Sequence, residues 1–248
     1  EKYLALAQRL QPENFRILAS TATLYATNRR HHEAIAALRA ALEMQPEETK
    51  LRNLLAFSLE ALGREPAALA HYSRVIEQAP EDFAARFGRA QLHARNGRWR
   101  EARTDMRLAS RKRPGGIAEQ QLALLHLLCN SPSEYQDLCK RWCSHFQEIP
   151  RSSQHSTECL AIGWTCALYP DALAQYDSVL NWTRFAVDAH AADEERCRVI
   201  RSAVQMRAGK YEEAVAELEE LMETRGDETP PSYLYACACH FLSLAHHH

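Results

Sequence analysis

The sequence predicts an all-α protein: a right-handed superhelical solenoid of antiparallel helix pairs, about fourteen helices in all and no strand. Three observations carry this. The 248 residues contain only 8 glycines, and the strong helix formers Ala, Leu, Glu and Arg dominate while alternating β-branched runs are missing. Pro12, Pro46, Pro80 and Pro114 recur at one constant spacing along the chain. Each of these prolines closes a helix-like run and precedes a short polar step, as in "AALEMQPEETKLRN". A ring without an N–H ends one helix there and lets the next begin.

Composition narrows the function classes. With 46% hydrophobic and 25% charged residues the chain lies in the soluble globular range. Its 30 basic and 32 acidic side chains leave a net charge of −2, so the chain as a whole has no bias toward nucleic acid or an anionic membrane. No apolar run approaches the roughly 18 residues of a membrane span, and the first residues carry no signal-peptide pattern. A cytoplasmic location is the expectation. The eight cysteines, Cys129, Cys139, Cys143, Cys159, Cys166, Cys197, Cys237 and Cys239, sit in apolar helical stretches and read as reduced core thiols rather than a disulfide frame. Cys139 and Cys143 share a helix face near His126, Cys129 and His145, but zinc sites use tighter pairs on turns, so no metal is expected.

The repeats align as 15–48, 49–82 and 83–116. Alanine holds the eighth position (Ala22, Ala56, Ala90) and the twentieth (Ala34, Ala68, Ala102), letting the two helices of a hairpin approach closely. Larger residues fill the eleventh position (Tyr25, Leu59, His93) and the twenty-fourth (Leu38, Tyr72, Met106), with Ala41, Val75 and Ala109 at the twenty-seventh. The fifteenth position, between the helices, holds Arg29, Gly63 and Gly97, where glycine suits a left-handed turn. Period and pattern resemble the tetratricopeptide repeat. The fourth and seventh positions of the second and third repeats depart from that family: Arg52, Arg86 and Arg89 stand where large apolar residues are usual, which leaves open how tightly those hairpins pack.

Residues 1–14 read as the second helix of a partial repeat. Residues 117–156 hold a divergent helical hairpin and then the polar stretch "EIPRSSQHST", the expected boundary or hinge. The pattern returns in 157–194 and, most clearly, in 195–228, where "AGKYEEAVAELEELMETRG" supplies Gly209, Tyr211, Ala214 and Leu218 at the fifteenth, seventeenth, twentieth and twenty-fourth positions. Residues up to 248 begin a further hairpin, so both ends read as cut from a longer protein, and His246–His248 read equally as native helix or tag remnant. The C-terminal half is similar to the helical tails of some bacterial serine/threonine protein kinases, a likeness that implies a regulatory or recruiting appendage.

No G-x-S-x-G, Walker loop, H-E-x-x-H or dinucleotide fingerprint occurs, nor any kinase signature, and neither a catalytic role nor a cofactor is expected. The chain reads as a scaffold binding a protein or peptide; the alternative is a structural spacer or self-assembly module of a larger enzyme. The family resemblance implies which residues would line a concave groove. They are Arg16, Thr23 and Thr27 in the first repeat, Lys50, Asn53 and Phe57 in the second, and Phe87, Gln91 and Arg95 in the third. Asn53 and Phe87, like Phe57 and Gln91, stand one full period apart and should be neighbours. The family's clamp for a C-terminal dicarboxylate is not matched, since its positions hold Ala19, Thr23, Leu54, Ala84 and Gly88. Such a groove suits an extended or helical segment with an apolar anchor and some acidic character. It is equally open that both phenylalanines pack on neighbouring helices and the polar groups only face water.

Overall fold

The computed structural model describes residues 14–112, 116–147, 156–189 and 194–225. Among these residues there are twelve α-helices and no strand. The helices expected within 1–14 and after residue 228, and with them His246–His248, lie outside the described residues. No described helix is long and apolar enough to cross a membrane. The chain divides into two compact units, 1–112 and 113–248. The polar segment 148–155 falls within the second unit and outside the described residues.

In the first unit the helices are α1 (Phe15–Thr27), α2 (His31–Met44), α3 (Thr49–Ala61), α4 (Glu65–Gln78), α5 (Phe83–Arg95) and α6 (Trp99–Ala109), the last continued by a 3-10 turn, Ser110–Lys112. Their starts repeat with the period. Asn14, Glu48 and Asp82, each the second residue after a proline, cap the first helix of each pair. Asn14 accepts from the Arg16 and Ile17 amides at 3.0 and 3.4 Å, Glu48 from Lys50 at 3.4 Å, and Asp82 from Ala85 at 2.8 Å. The pairs turn through Arg29, Gly63 and Gly97 at φ 59°, 71° and 70°, the left-handed conformation expected of the fifteenth position. Each turn is closed by an amide donating five residues back: Arg30 to Tyr25, Arg64 to Leu59 and Arg98 to His93, at 2.8–2.9 Å.

Packing follows the small-large pattern. All six repeat alanines, at the eighth and twentieth positions, are fully inaccessible to solvent. Leu38, Tyr72 and Met106 are buried over them, with Ala41, Val75 and Ala109 one turn further on. The arginines at the fourth and seventh positions do not loosen the hairpins. Arg52 donates to the carbonyl of Pro46 and Arg86 to that of Pro80, tying each hairpin to the preceding proline turn. Arg86 and Arg89 both reach Asp105 of α6, which is buried, so charge pairing stands in for apolar contact.

The second unit holds α7 (Ile117–Leu128), α8 (Pro132–Gln147), α9 (Ser156–Ala167), α10 (Asp177–Ala189), α11 (Glu194–Arg207) and α12 (Tyr211–Arg225). The divergent hairpin keeps the same left-handed turn: Asn130 takes φ 54° and the Ser131 amide donates to the His126 carbonyl at 2.8 Å. Tyr135, Leu138, Cys139, Trp142 and Phe146 form one buried face of α8. Tyr135 donates to the Thr165 carbonyl and the Trp142 indole N–H to Glu119. Between α9 and α10 the longer connection turns at Asp171, φ 59°, and buries Ala172. Gly209, φ 74°, closes the last hairpin, where Ala214 and Leu218 are buried as their positions predict.

Candidate functional site

In the first unit the first helices of successive pairs touch one another, α1 on α3 and α3 on α5, and so form an inner row. This row carries the expected groove residues. Phe57 is 50% exposed and meets the ring of His31 edge to face, centroid to centroid 5.8 Å. Phe87 is half-buried and stacks on Phe83 at 5.4 Å and 17°. Phe83 is itself 42% exposed. The sequence reading missed Phe83; its signal is the four-residue spacing from Phe87, which puts two aromatics on one helix face.

The polar residues divide. Arg16 and Lys50 are exposed at one end, and Gln91 is half-buried. Thr23 and Thr27 are exposed, but their hydroxyls donate to the Ala19 and Leu24 carbonyls of their own helix at 2.9 Å each. The Asn53 amide N–H donates to Asp82 at 3.0 Å, bracing the carboxylate that caps α5; Asn53 is therefore a joint between α3 and the start of α5. Arg95 pairs with Glu60, which also accepts the Tyr72 hydroxyl proton at 3.0 Å. Burial and the Glu60 carboxylate raise the Tyr72 pKa, so this phenol stays a donor. The surface that results is aromatic at Phe57, Phe83 and Phe87, with cationic edges.

The second unit holds two other features. Cys166 of α9 lies against Cys139 and Cys143 of α8. Its thiol is pushed up by those neighbours and by burial, while Cys143 is lowered by the contact with Cys166. Cys129, Cys139, Cys143, Cys159, Cys166 and Cys197 are all free thiols, and Cys237 and Cys239 lie outside the described residues. Among the described residues no group of three or more His, Cys, Asp or Glu side chains is placed to hold a metal ion. A cleft of about 330 Å³ beside the α9–α10 connection is lined by Asp171, Tyr176, Asp177, Arg207 and Lys210, among others. Arg207 is committed to the Ala167 carbonyl at 2.8 Å and Lys210 to Glu213 at 3.5 Å.

The tetratricopeptide repeat family matches residues 2–49, 19–83 and 53–117 in overlapping copies. No curated protein matches the sequence. Among solved structures, a tetratricopeptide repeat protein from Parabacteroides merdae superposes with a TM-score of 0.60 at 15% identity, over 94% of this chain and 87% of that one. PilF of Pseudomonas aeruginosa gives 0.61 at 14% identity, over 91% and 96%. YrrB, described as a TPR protein with an unusual peptide-binding site, gives 0.58 at 15% identity, over 82% and 96%. At these identities the likeness is one of fold. The period, the buried alanine pairs and these matches agree: residues 2–117 match the tetratricopeptide repeat family, and the chain has the fold of tetratricopeptide-repeat proteins.

Proposed function

We propose that the first unit is a non-catalytic protein-interaction module that binds an extended or helical protein segment along the inner row of α1, α3 and α5. The observation that carries this reading is the exposure of large aromatics on that row, Phe57 on α3 and the stacked Phe83 and Phe87 on α5. Half-exposed phenylalanines leave apolar area in water in the free protein, and covering them with an apolar anchor removes that area from water. Arg16, Lys50 and Arg95 favour a segment with acidic residues beside its anchor, with Arg95 exchanging its intramolecular partner Glu60 for the ligand. The peptide-binding site described for YrrB, a protein of the same fold, supports the class of ligand.

The test is selection of a displayed peptide library on the intact chain, followed by affinity measurement with Phe57→Ala and Phe87→Ala variants. Each substitution weakens the selected peptides by about 1–3 kcal/mol, as truncating an interface anchor does. Arg16→Glu with Lys50→Glu slows association chiefly at low salt. Peptides that bind the folded double phenylalanine variant with unchanged affinity overturn the reading.

A further inference from the structure

The net charge of −2 conceals an uneven distribution. Residues 1–112 carry 19 basic and 13 acidic side chains, and residues 113–248 carry 11 and 19. The two units thus bear opposite net charges, +6 on the first and −8 on the second. The excess on each is partly organised on one helix face. In the repeat 83–116 the eighteenth, twenty-fifth and twenty-ninth positions are Arg100, Arg107 and Arg111, on α6 and the turn that continues it. In the repeat 195–228 the same three positions are Glu212, Glu219 and Glu223, on α12. All six are exposed, and none forms an ion pair within the described residues. Spacings of seven and four keep each trio on one side of its helix, over roughly 16 Å at about 1.5 Å per residue.

This is not the usual solvated face of the repeat. The same positions hold His32, Arg39 and Glu43 in the first repeat and Pro66, Ser73 and Glu77 in the second, neither of which lines up like charges. Three like charges aligned on one helix repel one another, a cost relieved when opposite charges are set against them. Trp99, 37% exposed, flanks the arginine face and adds apolar area to a contact there. Because the glutamate trio occupies the same repeat positions, it matches the arginine trio in spacing when the two helices lie side by side and run in the same direction.

We propose that the arginine face of α6 docks on the glutamate face of α12 of a second copy of this chain, so that the protein self-associates through oppositely charged outer helices. The docking faces lie on second helices and leave the inner row of first helices free, so the proposal stands independently of peptide binding. The two faces are different surfaces of the same molecule. The contact is therefore heterologous and extends into longer assemblies unless two copies exchange both faces.

The experiment is sedimentation velocity on the full chain over a range of concentrations. It is run at about 10 mM and about 1 M ionic strength, where the screening length falls from roughly 30 Å to roughly 3 Å. The expected result is concentration-dependent self-association at low salt that is lost at high salt. Reversing one face, as Arg100→Glu, Arg107→Glu and Arg111→Glu or as Glu212→Arg, Glu219→Arg and Glu223→Arg, weakens it by about tenfold or more, since each pair changes from attraction to repulsion. All six positions are exposed, so both variants fold, which circular dichroism checks. A chain carrying both reversals recovers self-association. A chain that stays monomeric at low salt, an association indifferent to the reversals, or failure of the double reversal to restore it overturns the proposal. So does a chain that binds heparin through the arginine face while remaining monomeric, which would make that face a polyanion site instead.

Discussion

Arg89 grips Asp105 with a two-pronged contact, Nε to Oδ2 at 2.7 Å and Nη2 to Oδ1 at 2.9 Å, beneath a surface that leaves the carboxylate 4% exposed. Arg86 adds a third bond to Oδ1 at 3.0 Å. The arrangement recurs in the last described hairpin, where Arg201 donates to both oxygens of Glu217 at 2.8 Å and Arg198 approaches the same carboxylate at 3.5 Å. Positions four, seven and twenty-three of the repeat carry the triad in both places, so it joins the first and second helices of two separate hairpins.

Removing the shared carboxylate leaves two guanidinium groups without a counter-charge in a site with little water. Asp105→Ala is expected to destabilise the protein by about 3–5 kcal/mol, measured by urea unfolding. Combining it with Arg86→Met and Arg89→Leu recovers most of that loss, because apolar side chains of similar volume fill the same space without charge. If the triple variant is no more stable than Asp105→Ala alone, the cost does not come from the uncompensated arginines.

Gly88 of α5 lies directly against the Tyr72 ring of α4. A Cβ built there stands 2.4 Å from Cζ of the Tyr72 ring, and Tyr72 is buried on all sides. Gly88→Ala therefore costs about 1–3 kcal/mol through overpacking, despite alanine's higher helix propensity. The cost falls when Tyr72→Leu is present, a non-additivity read from the double-mutant cycle.

Turn geometry gives a pair of changes with opposite signs. Gly97 at φ 70° has open space around its Cβ position, so Gly97→Ala costs roughly 1–2 kcal/mol of backbone strain with no clash to confuse it. Arg29, at φ 59°, occupies the equivalent turn with a side chain, and Arg29→Gly gains about 0.5–1 kcal/mol. Thermal unfolding midpoints that move the other way would contradict this account of the turns.

His71 and His93 both titrate below the ordinary value of 6.5. Partial burial is the main cause for each, reinforced at His71 by Arg52 and at His93 by Arg98. Below pH 6.5 the unfolded chain takes up protons that the folded one refuses, so stability is full above that pH and declines as the pH falls through the folded values. His71→Gln flattens the fall in stability as the pH drops below about 6.5. Imidazole proton shifts in NMR titration check the two pKa directions independently.

Much of this is legible in one dimension because a repeat presents the same requirement several times. The proline period and the alanines at positions eight and twenty mark helix ends and close helix contacts, which follow from local sterics. The residues Asn14, Glu48 and Asp82 are polar side chains at the second place after each proline, and all three cap. Asn130 is a weaker signal: it falls one position short of a full period after Gly97, yet asparagine tolerates the left-handed turn it adopts. The arginines at positions four and seven mislead when read alone, because Arg86 and Arg89 share a single acid that lies on the other helix of the hairpin.

The sequence by itself determined the fold class, the helix pairs, their turns and the residues that would face one another across a hairpin, because each depends on short-range geometry repeated at a fixed period. Only the tertiary structure decided what individual polar and aromatic side chains do. It turned Asn53 toward Asp82, committed Arg95 to Glu60, brought Cys166 against Cys139 and Cys143, and left Phe57 and Phe83 exposed. Spacing states which face of a helix a residue occupies. What fills the space opposite that face is settled only when helices from distant parts of the chain pack, where burial, ion pairing and available volume select one partner among several.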